Sequence, residues 1–257
     1  MLVDSHAHLD DARFDADRDA VLQRARDAGV RTILTIGNGD GPDGMGCGIP
    51  IAESHDWIFT SVGVHPHDAA KVEERHYGMI EELAKRPKVV AIGETGLDYY
   101  YDNSPRDIQR DVFRRQLVIA RQLGMPVIVH TRDADEDTER ILDDVRPSCG
   151  VIHCFTSGQR LADFAVNLGF LISFSGIVTF PKAETLARIA QSLPDDRILV
   201  ETDCPYLSPV PHRGKRNEPA FVADTARFIA RLRNTPFESF SERTSANFNG
   251  LFRLPVF

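Results

Sequence analysis

Six side chains able to ligate a metal stand at the ends of short apolar runs. His6 and His8 lie two apart in VDSHAHLD, Glu94 follows KVVAIG, His130 closes PVIVH, His153 closes GVIH and Asp203 closes RILVETD. Residues i and i+2 of an extended strand share a face, so both histidines of the first run point the same way. Imidazole and carboxylate together suit zinc, manganese, iron or another borderline divalent ion. Six ligands exceed the four of one tetrahedral ion and point to two, with the two oxygens of Glu94 able to bridge them. Two ions ~3.5–4 Å apart can activate a water and hold both the attacking and the leaving oxygen of a phosphoryl displacement. One histidine at a strand end has an ordinary explanation, and HxH alone is a weak motif. Four further strand ends that each carry a ligand do not share that explanation. Asp203 is in addition the candidate general base, since a carboxylate beside the ions can take a proton from water.

The elements that would position these groups alternate. Strands are expected at 2–8, 31–36, 58–65, 88–94, 126–131, 150–154, 169–175 and 197–203, with amphipathic stretches between them. That order predicts a parallel sheet covered by helices. In 105–123, Ile108, Val112, Leu117, Ala120 and Leu123 can share one apolar face, with Gly124 as a stop; in 219–232, Phe221, Val222, Ala226, Ile229 and Ala230 do the same. Eight strands and eight covering segments in 257 residues fit an α/β fold, a single (β/α)8 TIM-type barrel spanning 1–257 as one domain. Active sites of such barrels lie at the carboxyl ends of the strands, where all six residues fall. Residues 37–48, GNGDGPDGMGCG, interrupt the pattern with six glycines. They lack the GKS/GKT ending of a P-loop, and a flexible or shortened connection is expected there.

The motifs VDSHAHLD, GVHPH, IGETGLDYY, VIVHTRDA, HCF, ETDCPYL and RGKRNEP, in this order from residue 3 to residue 219, resemble those of the TatD-type deoxyribonuclease family of amidohydrolase-like enzymes. The tail SERTSANFNGLF is similar to that family's last helix. The resemblance implies a (β/α)8 barrel that hydrolyses phosphodiesters of DNA with two divalent ions (Mg, Mn or Zn). It implies single strands or strand ends as substrate, with 3′–5′ trimming as one mode, and His6, His8, Glu94, His130, His153 and Asp203 as metal ligands. The glycine-rich 37–48 segment departs from the family, where an ordinary helix is usual, and bears on substrate preference.

Other residues take their expected roles from these positions. Glu201, two before Asp203, should lie one layer deeper and orient a liganding histidine, or else partner a buried basic group. His65, in GVHPH, could hydrogen-bond a substrate phosphate, while His67 belongs to a turn. Arg132 shares the side of His130 and offers a guanidinium fork to phosphate, with a salt bridge to Asp133 or Asp135 as the alternative. Arg213, Lys215 and Arg216 gather in the loop after the last strand, and Arg213 and Arg216 are expected substrate contacts. Glu218 would anchor that loop. Tyr99, Tyr100 and Phe155 could stack on bases or pack the rim. Cys154 and Cys204 should point outward beneath the helices as core thiols.

Composition narrows the classes. A net charge of −8 argues against a protein that coats duplex DNA, yet is compatible with an enzyme gripping one strand through metals and a few arginines. The four cysteines show no CxxC spacing, and the amino terminus carries no secretory pattern, so reduced thiols and a cytoplasmic location are expected. No run is long enough for a membrane span. The sequence carries no mark of a particular oligomeric state. The competing activity is an amide or ester hydrolase of the same superfamily, such as an aminoacyl-tRNA deacylase. The basic loop favours the phosphodiester.

Overall fold

The computed structural model describes residues 1–254; the last three residues of the expected 1–257 domain lie outside the described residues. Eight parallel strands pair in sequence order: β1 (Leu2–Ala7), β2 (Val30–Thr35), β3 (Ile58–Val62), β4 (Val89–Asp98), β5 (Val127–Arg132), β6 (Gly150–Ile152), β7 (Leu171–Phe174) and β8 (Ile198–Val200). The chain just past β8 brings the sheet round onto β1. Ala7 bridges Cys204, the Asp203 N–H donates to the His6 carbonyl at 2.9 Å, and the Thr202 N–H donates to the Asp4 carboxylate at 2.8 Å. The result is the expected (β/α)8 barrel.

The covering helices are α1 (Arg18–Asp27), α2 (Gly48–Glu53), α3 (Glu74–Leu83), α4 (Arg106–Leu123), α5 (Asp135–Val145), α6 (Gln159–Asn167), α7 (Glu184–Ser192) and α8 (Val222–Leu232), followed by α9 (Phe237–Phe252). None among the described residues is long and apolar enough to cross a membrane. α4 ends as its sequence predicts, with Gly124 at φ 63°. Its buried face differs from the expected one. Ile108 and Leu123 are exposed, while Gln109 and Gln116 are buried with Val112, Phe113 and Leu117. Both glutamines satisfy backbone that the strands leave unpaired: the Gln116 amide bonds both polar groups of Val64, and the Asp98 N–H donates to Gln109 Oε1.

One apolar residue from each strand fills the lower barrel: Val3, Leu34, Phe59, Ala91, Ile128, Val151, Leu171 and Leu199. Phe248, Leu251 and Phe252 of α9 join this cluster and seal the amino-terminal end.

β4 departs from its expected range. Glu94 does not end the strand, which runs on to Asp98. The register with β5 shifts between Ile92 and Thr95, flanked by Gly93 and Gly96 at φ 142° and 147°. A Cβ on Gly96 would lie 1.9 Å from the His130 carbonyl oxygen, so the strand hugs β5 only because these positions lack side chains. The bulge aims Glu94 into the barrel mouth.

The 37–48 segment is short, as expected, and closely packed. It forms one 3-10 turn, Pro42–Gly44, and leads into a six-residue α2. A Cβ on Gly37 would stand 2.2 Å from the Ser61 carbonyl oxygen, and one on Gly48 2.2 Å from Thr60 Oγ1. The close approach places Asn38 over β4, where its amide nitrogen donates to the carbonyls of Gly63 (3.0 Å) and Glu94 (2.9 Å).

Candidate metal centre

Glu94 lies at the middle of the mouth, almost fully buried. Its Oε1 is 2.6 Å from His153 Nε2, 2.9 Å from His130 Nδ1 and 3.5 Å from His65 Nε2. Its Oε2 faces the other way, 3.5 Å from His6 Nε2 and 4.0 Å from His8 Nε2. Asp203 completes that side, with Oδ1 3.3 Å from His8 Nε2 and 3.6 Å from His6 Nε2. Three overlapping sets of donor atoms thus converge, each within 4.8 Å: His6, His8 and Asp203; His6, Glu94 and His153; His65, Glu94 and His130.

This arrangement fits divalent cations on chemical grounds. The Nε2 atoms of His6 and His8 face each other at 3.3 Å, and so do His130 Nδ1 and His153 Nε2. Lone pairs crowded this closely around carboxylate oxygens suit a positive charge between them. Among the described residues, buried His6 Nδ1 and Glu201 Oε2 have no hydrogen-bond partner.

Burial and neighbouring charge set the protonation states. Burial pushes His65 down to about 4, against the pull of Glu94, so its ring is neutral at pH 7. His6 is lowered by the same desolvation together with the charge of His153. Burial would raise Asp203, but the His8 hydrogen bond and the charges of His6, His8 and His153 hold it below its ordinary range. Burial would raise Glu94 as well, but the charge of His153 and the His130 hydrogen bond help hold it well below its ordinary value. The carboxylates are therefore anionic at neutral pH.

Behind the inner ring, carboxylates fix the imidazoles. Glu201 is fully buried one layer down; its Oε1 accepts from the Cys154 N–H at 2.7 Å and stands 3.3 Å from His153 Nδ1. Asp98 plays the matching part for His130, with Oδ2 3.2 Å from His130 Nε2 and 2.9 Å from His67 Nε2. Sequence reasoning missed Asp98 and assigned His67 no role, since neither falls at an expected strand end. The signal available was the four-residue spacing from Glu94 to Asp98 in GETGLD.

The structure places the remaining expected residues as follows. Arg132 makes neither of the anticipated salt bridges; its guanidinium lies 4.0 Å from the Tyr100 ring centroid and 4.8 Å from that of Tyr101. Arg213 lies over Phe180 at 3.7 Å. Arg216 donates to both Asp17 oxygens (2.8 and 2.7 Å) and to the Arg13 carbonyl. Glu218 binds Arg24 and anchors the same loop. Tyr99 donates to Asp137 at 2.6 Å, and Phe155 is buried against Phe174. Cys204 is a core thiol, but Cys154 is only part-buried and lies 3.2 Å from Ser175 Oγ, because a φ of 41° turns the backbone there.

The model of the TatD-related DNase family matches residues 3–253. The chain belongs to this family. It is 41% identical over 256 residues to the metal-dependent hydrolase YabD of Bacillus subtilis, covering 99% of this chain and 100% of that protein. It is 33% identical over 262 residues to the 3′-5′ ssDNA/RNA exonuclease TatD of Erwinia billingiae, covering 99% and 100%. The crystal structure of YJJV, a TatD homolog from Escherichia coli, superposes with a TM-score of 0.92 at 28% identity over 99% of this chain and 98% of that one. The protein is thus a metal-dependent hydrolase with a TatD-type barrel.

Proposed function

We propose that this TatD-family hydrolase cleaves phosphodiester bonds of DNA, in single strands or at strand ends, using two divalent ions. The observation that carries the reading is the two-sided environment of Glu94: three imidazoles on Oε1, and His6 and His8 on Oε2. One carboxylate facing two donor sets suits a bridging ligand. His6, His8, Glu94 and Asp203 would hold one ion, and Glu94, His130 and His153 the other. When bound, such ions supply Lewis-acid charge to a phosphoryl oxygen and make water more acidic.

The protein's own groups do the rest. Asp203 is kept anionic, and the carboxylate oxygen left free of the ion can hold the proton released as water attacks. Glu201 holds His153 through Nδ1 and so presents Nε2; Asp98 holds His130 through Nε2 and so presents Nδ1. Neutral His65 and the guanidinium groups of Arg132 and Arg213 can receive the phosphate oxygens. The named activity of the Erwinia relative supports 3′–5′ trimming as the mode of action.

The test is metal-reconstituted protein assayed in parallel on end-labelled single-stranded DNA, RNA, a simple phosphodiester and an aminoacyl ester. Cleavage of DNA and of the simple diester, abolished by chelation, is expected. Turnover of the aminoacyl ester alone would assign the barrel to the competing chemistry.

A further inference from the structure

We propose that two tyrosine–arginine platforms on opposite sides of the metal centre stack the bases of an unpaired strand and hold its scissile phosphate between them. The proposal rests on the phosphodiesterase reading above and adds how the strand is recognised.

Among the described residues, large apolar side chains are exposed at seven positions, and four of these lie on two loops of the catalytic mouth: Tyr100 (59%), Tyr101 (54%), Tyr206 (48%) and Val210. Tyr100 and Tyr101 follow β4, and Tyr206 follows β8. In an eight-stranded barrel these loops are four strands apart and face each other across the mouth. Each platform touches the centre. The Tyr206 ring is 6.1 Å from that of His8, and the Tyr101 ring is 5.3 Å from that of His67.

Both are built rather than incidental. Asp11 clamps Arg13 through two hydrogen bonds, at 2.8 and 2.7 Å, and so holds the guanidinium 4.3 Å from the Tyr206 centroid. Tyr206 is tied to the centre by its N–H bond to the Asp203 carbonyl. Arg216 binds the Arg13 carbonyl and steadies the loop beneath. Opposite, Asp98 Oδ1 accepts from the N–H groups of Tyr100 and Tyr101, while Arg132 lies over both rings. A guanidinium backing one face of a ring leaves the other face to a base and brings positive charge close to the adjoining phosphate.

Charge on the rim favours base stacking over a phosphate track. A cavity of about 560 Å³ beside Tyr99 is lined by Asp133, Asp135, Glu136 and Asp137, whose charge disfavours a phosphate backbone along that part of the rim. An acidic protein that cannot bind many phosphates must take its purchase from base faces, which only an unpaired strand exposes.

The experiment compares kcat/KM on a short oligothymidylate with kcat/KM on bis(p-nitrophenyl) phosphate, for wild type, Tyr206→Ala, Tyr101→Ala and Tyr206→Phe. Each alanine variant should lower the oligonucleotide-to-small-diester ratio about tenfold, and Tyr206→Phe, which keeps the ring face, should restore it. A parallel anisotropy titration of labelled oligothymidylate in chelator should weaken in the same alanine variants. Partial misfolding lowers both activities together and leaves the ratio unmoved. An unchanged ratio, or unchanged affinity in chelator, overturns the platforms. Failure of the wild type to hydrolyse either diester would instead overturn the phosphodiesterase reading.

Discussion

Asp98 engages four groups at once: Oδ1 takes two backbone N–H groups and Oδ2 meets His67 and His130. An amide at this position could still accept from the backbone, but its nitrogen would then face His130 Nε2. That imidazole would have to accept there and carry its proton on Nδ1, the atom that faces Glu94. Asp98→Asn should therefore weaken metal affinity by roughly 10–100-fold with little change in the thermal midpoint of the metal-free protein. A metal titration followed by a thermal melt checks both. Unchanged affinity would show that His130 needs no such partner. At this scale the candidate ligands were legible where they directly follow apolar strand residues, as with His130 and His153. The sequence was silent where a role depends on the backbone path. Asp98 enters the mouth because β4 bulges at Gly93–Thr95, and Asn38 reaches Glu94 because glycines let its loop press against β3.

The loop after β8 shows why composition misleads about elements. Arg213, Lys215 and Arg216 read alike as a basic cluster, yet the fold separates them. Arg216 ties this loop to the one after β1 through Asp17 and the Arg13 carbonyl, whereas Arg213 only covers the Phe180 ring. Arg216→Ala should lower the thermal midpoint slightly and open residues 8–17 to proteolysis. Arg213→Ala should leave both unchanged and raise KM for an oligonucleotide. Melts, limited proteolysis and oligonucleotide kinetics on the two variants check this, and identical behaviour would return the pair to one role. α4 carries the same lesson. Its period was readable, but its buried face includes Gln109 and Gln116, which periodicity treats as solvent-facing and the unpaired backbone of Val64 and Asp98 requires inside.

Across the whole molecule, the barrel carries an apolar seal at one end and the candidate metal centre at the other. Strand order, strand number and the mouth were legible because alternation of strand and helix admits few topologies. The seal made by α9 was foreshadowed only as a last helix. Phe248→Ala should open a cavity in that seal and cost about 3–5 kcal/mol in chemical denaturation, with metal affinity at the far end unchanged. Coupled loss of both would mean that the floor helps shape the centre. The sharing of Glu94 by two ions at that centre would register in metal stoichiometry. Elemental analysis of reconstituted wild type and Glu94→Gln should give two ions per chain for the former and at most one for the latter, because an amide is a poor bridge. Two ions retained in Glu94→Gln, with turnover intact, would contradict it.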